Sequence, residues 1–397
     1  MTPALRWLFA IHLVSMGAME MSGPFWPLHF RSLGTLSPQS LAWASGIAYA
    51  GPMVMAMCFT PWWGRLGDRV GHKPMVLRAL LALAATQCWI ALADSVALIL
   101  CIRLVQGALA GFIAAAQAYG STLVPNEERA GLMTRLQVAT AIGSVAGPVI
   151  GGWLFDVRGF RAVNLAAALV CLACAAAAAF VLPAGSRPLV KPAAGKASRT
   201  PGLRGVMGGL LSGIVLVQAG KMMPQSFFGL YADDVLHLSR QATGWCYGAT
   251  ALGLCLAAPF WGKRFDRLGR RQVLRQVEWI CWACVGIVAL QALARGLELV
   301  LLARLSWGIC LAALLPVFYG LLSREAAGGE QGLVLGAGNS AAKAGALVGA
   351  GLGGMLLAWV PVEHMFWPVA GVYGVSAIGI RLIRHQPVVP AQAGTTG

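Results

Sequence analysis

Apolar runs recur along the whole chain, and each reaches the roughly 18 residues that let a helix cross a bilayer. Read against the polar breaks between them, they predict twelve spans. These lie near residues 5–30, 40–62, 75–93, 96–119, 132–155, 161–182, 206–231, 240–261, 273–293, 297–320, 333–358 and 363–384. Asp94 and Ser95 are nearly all that parts the third span from the fourth. Connections this short force neighbouring spans antiparallel. The first run lacks a small-x-small cleavage site and exceeds the apolar core of a secretion signal, so it predicts a retained helix. The stretch 183–205, PAGSRPLVKPAAGKASRTPGLRG, is rich in Pro, Gly, Ser and base, and predicts a flexible linker. The expected organisation is an N-terminal six-helix half over 1–182, the linker, a C-terminal half over 206–384 and a tail over 385–397.

The two halves repeat one another. Residues 61–73, PWWGRLGDRVGHK, return as PFWGKRFDRLGRR at 259–271, an offset of 198. Both read as charged loops with one carboxylate, Asp68 or Asp266. Arg103-Leu104-x-x-Gly107 returns as Arg304-Leu305-x-x-Gly308 at offset 201, and Gly143, Gly147, Gly151 and Gly152 return as Gly345, Gly349, Gly353 and Gly354 at offset 202. Glu20 stands opposite Lys221, again at offset 201. The fold class this predicts is an all-α integral membrane protein of twelve helices in two parallel six-helix pseudo-repeats. Such repeats place a substrate site between the halves near mid-membrane, and rocking of one half on the other gives alternating access.

Composition narrows the function. Of 397 residues 58% are hydrophobic and 11% charged, which no soluble fold of this length accommodates. The net charge of +16 could suggest nucleic acid, but the bases are spread by side of the membrane. With both termini in the cytoplasm, 21 of the 30 Lys and Arg fall on cytoplasmic segments and only Arg31, Arg158, Arg161, Arg240 and Arg295 on external loops. This is the positive-inside bias, so a nucleic-acid partner is not expected. All ten cysteines lie in or beside apolar runs; Cys171-x-x-Cys174 and Cys281-x-x-Cys284 lack companion ligands and read as packing, with no metal site. No nucleophile–His pair, metal cluster or paired mid-span carboxylates point to an enzyme.

Charges inside spans carry the chemistry, since each costs roughly 2.5–3.5 kcal/mol to insert. The deep set is Glu20, Arg103, Lys221, Arg304 and Lys343. Glu20 is the sole deep acid, which makes it the candidate proton-coupling carboxylate with Arg103 as its partner; a structural ion pair between the first and fourth spans is the competing reading. Four deep bases against one acid favour a small, anionic or polar, oxygen-rich substrate, with Lys221, Arg304 and Lys343 contributing contacts. Lys221 and Lys343 could instead snorkel or pair with helix ends. Trp26, Tyr49, Phe227, Trp307 and Tyr319 are candidates for the cavity wall against ordinary packing, while Trp62, Trp63, Trp261, Trp359 and Trp367 suit the lipid interface. The spaced glycines of the fifth span make a smooth face for close helix contact, and Pro148 is expected to bend that helix. Gly349-x-Gly351-x-x-Gly354 has dinucleotide-fingerprint spacing but follows no strand, so helix packing is the expectation.

Gly64-Arg65-Leu66-Gly67-Asp68-Arg69-Val70-Gly71-His72-Lys73 resembles the signature loop of the major facilitator superfamily, departing only at His72. The second copy departs more, at Arg264 and Phe265. Arg103-Leu104-Val105-Gln106-Gly107 resembles that family's fourth-span motif. Gly143-Ser144-Val145-Ala146-Gly147-Pro148-Val149-Ile150-Gly151-Gly152 resembles the fifth-span motif of its drug/proton antiporters. The resemblance implies a multi-pass protein of the bacterial inner membrane, acting as a monomer among lipid, with no cofactor and a proton as coupling ion. Gly64, Asp68, Arg69, Gly71 and Lys73, with Asp266 and Arg267 in the weaker copy, would form the gating loop, and Asp68 would latch the outward-facing state. Gly143, Gly147, Pro148, Gly151 and Gly152 would be the exporter motif. The implied activity is proton-coupled export of a drug, xenobiotic or secondary metabolite. The alternative is dedicated export of a siderophore, such as a hydroxamate of the alcaligin type, for iron acquisition.

Overall fold

A computed structural model describes residues 2–109, 111–125, 129–183, 203–325 and 331–385. Fourteen α-helices run through them and make twelve crossings. In the first half α1 (Pro3–Glu20) passes through a 3-10 turn at Gly23–Phe25 into α2 (Trp26–Ser32), and together they form the first crossing. Next come α3 (Pro38–Val70), α4 (His72–Ala91), and α5 (Val96–Leu109) with α6 (Phe112–Ser121). α7 (Arg129–Val181) holds the fifth and sixth crossings, turning at Gly159 with φ 78°, where a side chain would be strained. The second half repeats this with α8 (Leu203–Met222), a 3-10 turn at Met223–Ser226 and α9 (Phe228–Asp234), then α10 (Arg240–Asp266), α11 (Arg270–Leu293), α12 (Leu297–Glu325), α13 (Gln331–Leu356) and α14 (Phe366–His385). Ser37 and Ser239 cap α3 and α10 through the N–H groups of Ser40 and Ala242. α7 runs through Pro148 as continuous helix. Most of the expected 183–205 linker, and the tail after His385, lie outside the described residues.

Seven helical stretches are long and apolar enough to cross a membrane unaided, α7 among them with its two crossings. The first, seventh, eighth and eleventh crossings fall short of that measure. The eighth and eleventh pack against the opposite half and the first and seventh carry Glu20 and Lys221, so protein rather than lipid covers polar groups there. Large apolar side chains face outward elsewhere, such as Leu169, Phe180 and Leu302.

The structure corrects the reading of 61–73 as a loop. Residues 61–70 continue α3 and α4 begins at His72, so the connection is Gly71 alone, held at φ 99°. In the second copy helix likewise persists to Asp266, with Arg267–Gly269 as the turn. A helix can carry such charges past the lipid because its backbone bonds are internal, and only the reversal needs glycine.

Glycine faces set the packing within each half. A Cβ on Gly143, Gly147 or Gly151 of α7 would strike Leu13–Gly17, Gly17 and Glu20, or Met21 of the first crossing; Gly345, Gly349 and Gly353 of α13 stand likewise against Val215, Ala219 and Met223. These contacts give a register of 202, not 201, so Lys221 is the counterpart of Met19 and Glu20 that of Met222. Gly349 and Gly354 of the fingerprint-like string pack against Ala219 and against Gly46 of α3.

The halves meet at the face opposite Pro3 and His385. There Gly152 lies on the Arg240 backbone, Gly244 on the Pro148 carbonyl, and Gly46 on Gly354. Arg31 bridges to Asp233 and Asp234, each at 2.7 Å. Asp156 accepts from the N–H groups of Arg240 (3.1 Å) and Gln241 (2.8 Å), capping α10. At the termini-bearing face Trp62, Gly64 and Asp68 are exposed. The cleft between the halves therefore opens toward the face that carries the chain ends.

Candidate central site

Glu20 closes α1 one turn before the helix breaks at Gly23. Its stem lies against Gly147, and its carboxylate lies so near Gly23 that a Cβ there would sit 3.3 Å from Oε2. The glycines of α7 thus hold the first crossing where a larger residue would push the acid away. Arg103 and Lys221 both attract this carboxylate electrostatically. Among the described residues, however, neither forms an ion pair with it within 4.0 Å.

Arg103 is satisfied elsewhere. Its Nε and Nη2 donate to the Ala48 carbonyl at 3.1 and 2.8 Å, Nη1 donates to Gln106 Oε1, and its guanidinium lies 4.8 Å from the Trp26 ring. Gln106 in turn donates to Thr86 Oγ1 at 3.0 Å. The Tyr49 hydroxyl donates to the Gly23 carbonyl, pinning α3 to the break beside Glu20. Tyr247 of α10 interacts electrostatically with Tyr49, Glu20 and Arg304, linking the two halves.

The second half contributes Lys221 near the end of α8, and Arg304 in α12. Arg304 is 2% exposed, its Cζ 3.5 Å from the Phe228 ring centre and 5.4–5.8 Å from those of Trp307, Tyr247 and Phe366. Lys343 is exposed and lies three turns before Gly354 on the same face of α13, so it faces the open cleft. Trp26 is buried beneath Arg103 against Phe160, and Phe227 is buried against Phe366. Tyr319 donates to Asn339 Oδ1 at 2.9 Å. Glu20, Arg103, Tyr49, Lys221 and Arg304 are thus brought toward the middle, while Phe227, Trp307 and Tyr319 sit inside the second half.

At the termini-bearing face Asp68 is exposed and, among the described residues, pairs with His72 alone, at 3.7 Å. Lys73 donates to the carbonyls of Ala179 and Leu182, tying the Gly71 turn to the end of α7. Arg69 and Arg267 are exposed, and the Asp266 side chain lies outside the described residues. Reading by hydropathy missed Gln106, Tyr247, the Arg31–Asp233–Asp234 clasp and the Asp156 cap. In α11, Glu278 is a second buried acid and pairs with Arg384 at 2.6 Å. Charged partners at matching ends of pseudo-equivalent spans were the available signal for the clasp.

The family model of the Major Facilitator Superfamily matches residues 8–209 and again 210–396. The chain belongs to that superfamily. It is a multi-pass membrane transporter fold, and its repeat is the family's own unit matched twice. The chain is 27% identical over 389 residues to the staphyloferrin B transporter of Staphylococcus aureus, covering 94% of this chain and 91% of that one. It is 25% identical over 382 residues to multidrug resistance protein MdtG of Klebsiella pneumoniae, covering 94% and 92%. Among solved structures it superposes on a bacterial homologue of the lysosomal transporter Spinster in an inward-facing and occupied conformation. That match has a TM-score of 0.76 at 13% identity, covers 98% and 100% of the two chains, and shows the fold alone.

Proposed function

We propose that this transporter exports a small organic molecule across the bacterial cytoplasmic membrane in exchange for protons, by alternating access. The observation that carries the reading is Glu20. It is a carboxylate at a helix break, attracted from one half by Arg103 and from the other by Lys221, yet locked to neither. An acid so placed can exchange a proton for the favourable field of a cation as the halves move. The positive-inside bias puts both termini in the cytoplasm, so the present cleft faces inward. The chain acts as a monomer with the proton as its only coupling ion. Replacing Glu20 by Gln should abolish pH-gradient-driven export in proteoliposomes while leaving the protein folded; undiminished gradient-driven flux rejects the coupling role.

Two substrate classes follow from the relatives' names: drugs, as for MdtG, and a siderophore, as for the staphyloferrin B transporter. Arg304, Lys221 and Lys343 in the second half favour an anionic or oxygen-rich molecule over a lipophilic cation. Secreted metabolites compared with and without the gene under iron limitation separate the two. Loss of one secreted chelator selects the siderophore, and an unchanged profile with new drug sensitivity selects efflux.

A further inference from the structure

Each half carries an arginine at the same place in its fourth crossing, but only one of the two is satisfied. Arg103 fills its Nε–Nη2 edge with the Ala48 carbonyl and its Nη1 with Gln106 Oε1. Three residues beyond Arg304 the second half has Trp307 where the first has Gln106. An indole donates a hydrogen bond and cannot accept one. The Nε and Nη2 of Arg304 are buried without a hydrogen-bond partner among the described residues. Its strongest electrostatic neighbours are Tyr247, Cys246 and Tyr231, none of them a carboxylate. Rings surround the guanidinium, Phe228 closest at 3.5 Å and Trp307, Tyr247 and Phe366 at 5.4–5.8 Å. Aromatic faces ease a cation but leave its in-plane donors unused. The Tyr247 hydroxyl is likewise buried and unpartnered.

A guanidinium packed among rings with its Nε–Nη2 edge unbonded is complementary to a planar oxyanion taken in two parallel bonds. We propose that the Nε–Nη2 edge of Arg304 and the hydroxyl of Tyr247 form a seat for a ligand carboxylate, and that the transported molecule is a carboxylic acid. This deepens the exporter reading and rests on it. The repeat sets the contrast: the first arginine is a structural strut, while its copy has Trp307 in place of the Gln106 acceptor and makes no bond from Nε or Nη2 to a backbone carbonyl among the described residues. Both nitrogens are shielded in this conformation, so the carboxylate reaches them as a wall ring swings aside. A neutral amide of equal shape offers one acceptor instead of two and no charge. A quaternary cation is repelled.

The test uses the purified full chain in detergent without a gradient, titrated with benzoate and with benzamide at equal ionic strength, and read by thermal shift and tryptophan fluorescence. Benzoate should bind saturably and benzamide should not. Arg304→Gln should abolish the response, Arg304→Lys should weaken it about tenfold by losing the fork, and Tyr247→Phe should weaken it several-fold. Should Arg304→Gln fail to fold, Arg304→Lys and Tyr247→Phe decide alone. Equal binding of benzamide, or unaltered benzoate binding in both of those variants, overturns the seat. Because no gradient is present, that result is distinct from a failure of proton-coupled export in vesicles.

Discussion

At residue scale, single hydrogen atoms decide where the acid of this transporter can sit. Gly151 leaves no room for a Cβ against the Met21 carbonyl, and Gly147 leaves none against Gly17 and the stem of Glu20. The nearest atom in each case is a backbone carbonyl, of Met21 or of Gly17, which cannot rotate away. Overpacking of this kind costs on the order of 1–3 kcal/mol even where neighbours can yield. Gly151→Val should therefore lower the melting temperature in detergent and pull α7 off the first crossing, with loss of export. An unchanged melting temperature and normal flux would mean that the fifth-span glycines are spaced for something other than contact with this crossing. The spacing of these residues was readable as a packing face, and so were Glu20 and Arg103 as in-span charges. Gln106 and Tyr247 were not, because neutral polar residues barely disturb a hydropathy run. Their importance comes from which carbonyls and cations lie beside them in space.

At the scale of elements, the twelve crossings were legible because each must bury its own backbone and show apolar side chains to lipid. The ends were less so. Trp62, Arg65 and Asp68 looked like loop because they are polar or interfacial, yet α3 simply continues beyond the lipid to Gly71. The ends of the first, fifth, seventh and eighth crossings read only as external loops, yet there Arg31, Asp233, Asp234, Arg240 and Asp156 join the halves. Arg31 is 42% exposed at its side chain, so the clasp is a modest one, about 1 kcal/mol or less for each such pair. Rocking needs only such a bias. Replacing Asp233 and Asp234 together by Asn should shift the population several-fold toward a form open at this face. The readout is the distance between spin labels on the two halves there, in a background without the native cysteines. An unmoved distance distribution would leave the Asp156 cap and the glycine contacts as sufficient closure.

At the scale of the whole molecule, duplication explains the architecture and departures from it explain the chemistry. The register of 202 taken from the glycine contacts sets Glu20 against Met222 and Lys221 against Met19, so acid and base are not two copies of one position but two separate insertions of charge at the centre. Pairing by nearest charge in the sequence could not show this, since a one-residue slip is invisible without the helix faces. The signature at 64–73 shows a second asymmetry. In this conformation Asp68 is 69% exposed at its side chain and, among the described residues, pairs with His72 of the following helix and with no residue of the other half. If it binds the other half when the termini-bearing face closes, removing its charge destabilises that closed form alone. Asp68→Asn should then enrich the conformation described here and slow turnover, with the folded stability of this form unchanged. Spin labels spanning the termini-bearing ends of α3 and α13 should report a larger long-distance fraction. A shift toward the short distance, or full-speed export with no shift, would show that the carboxylate kept in both repeats serves topology and not the latch.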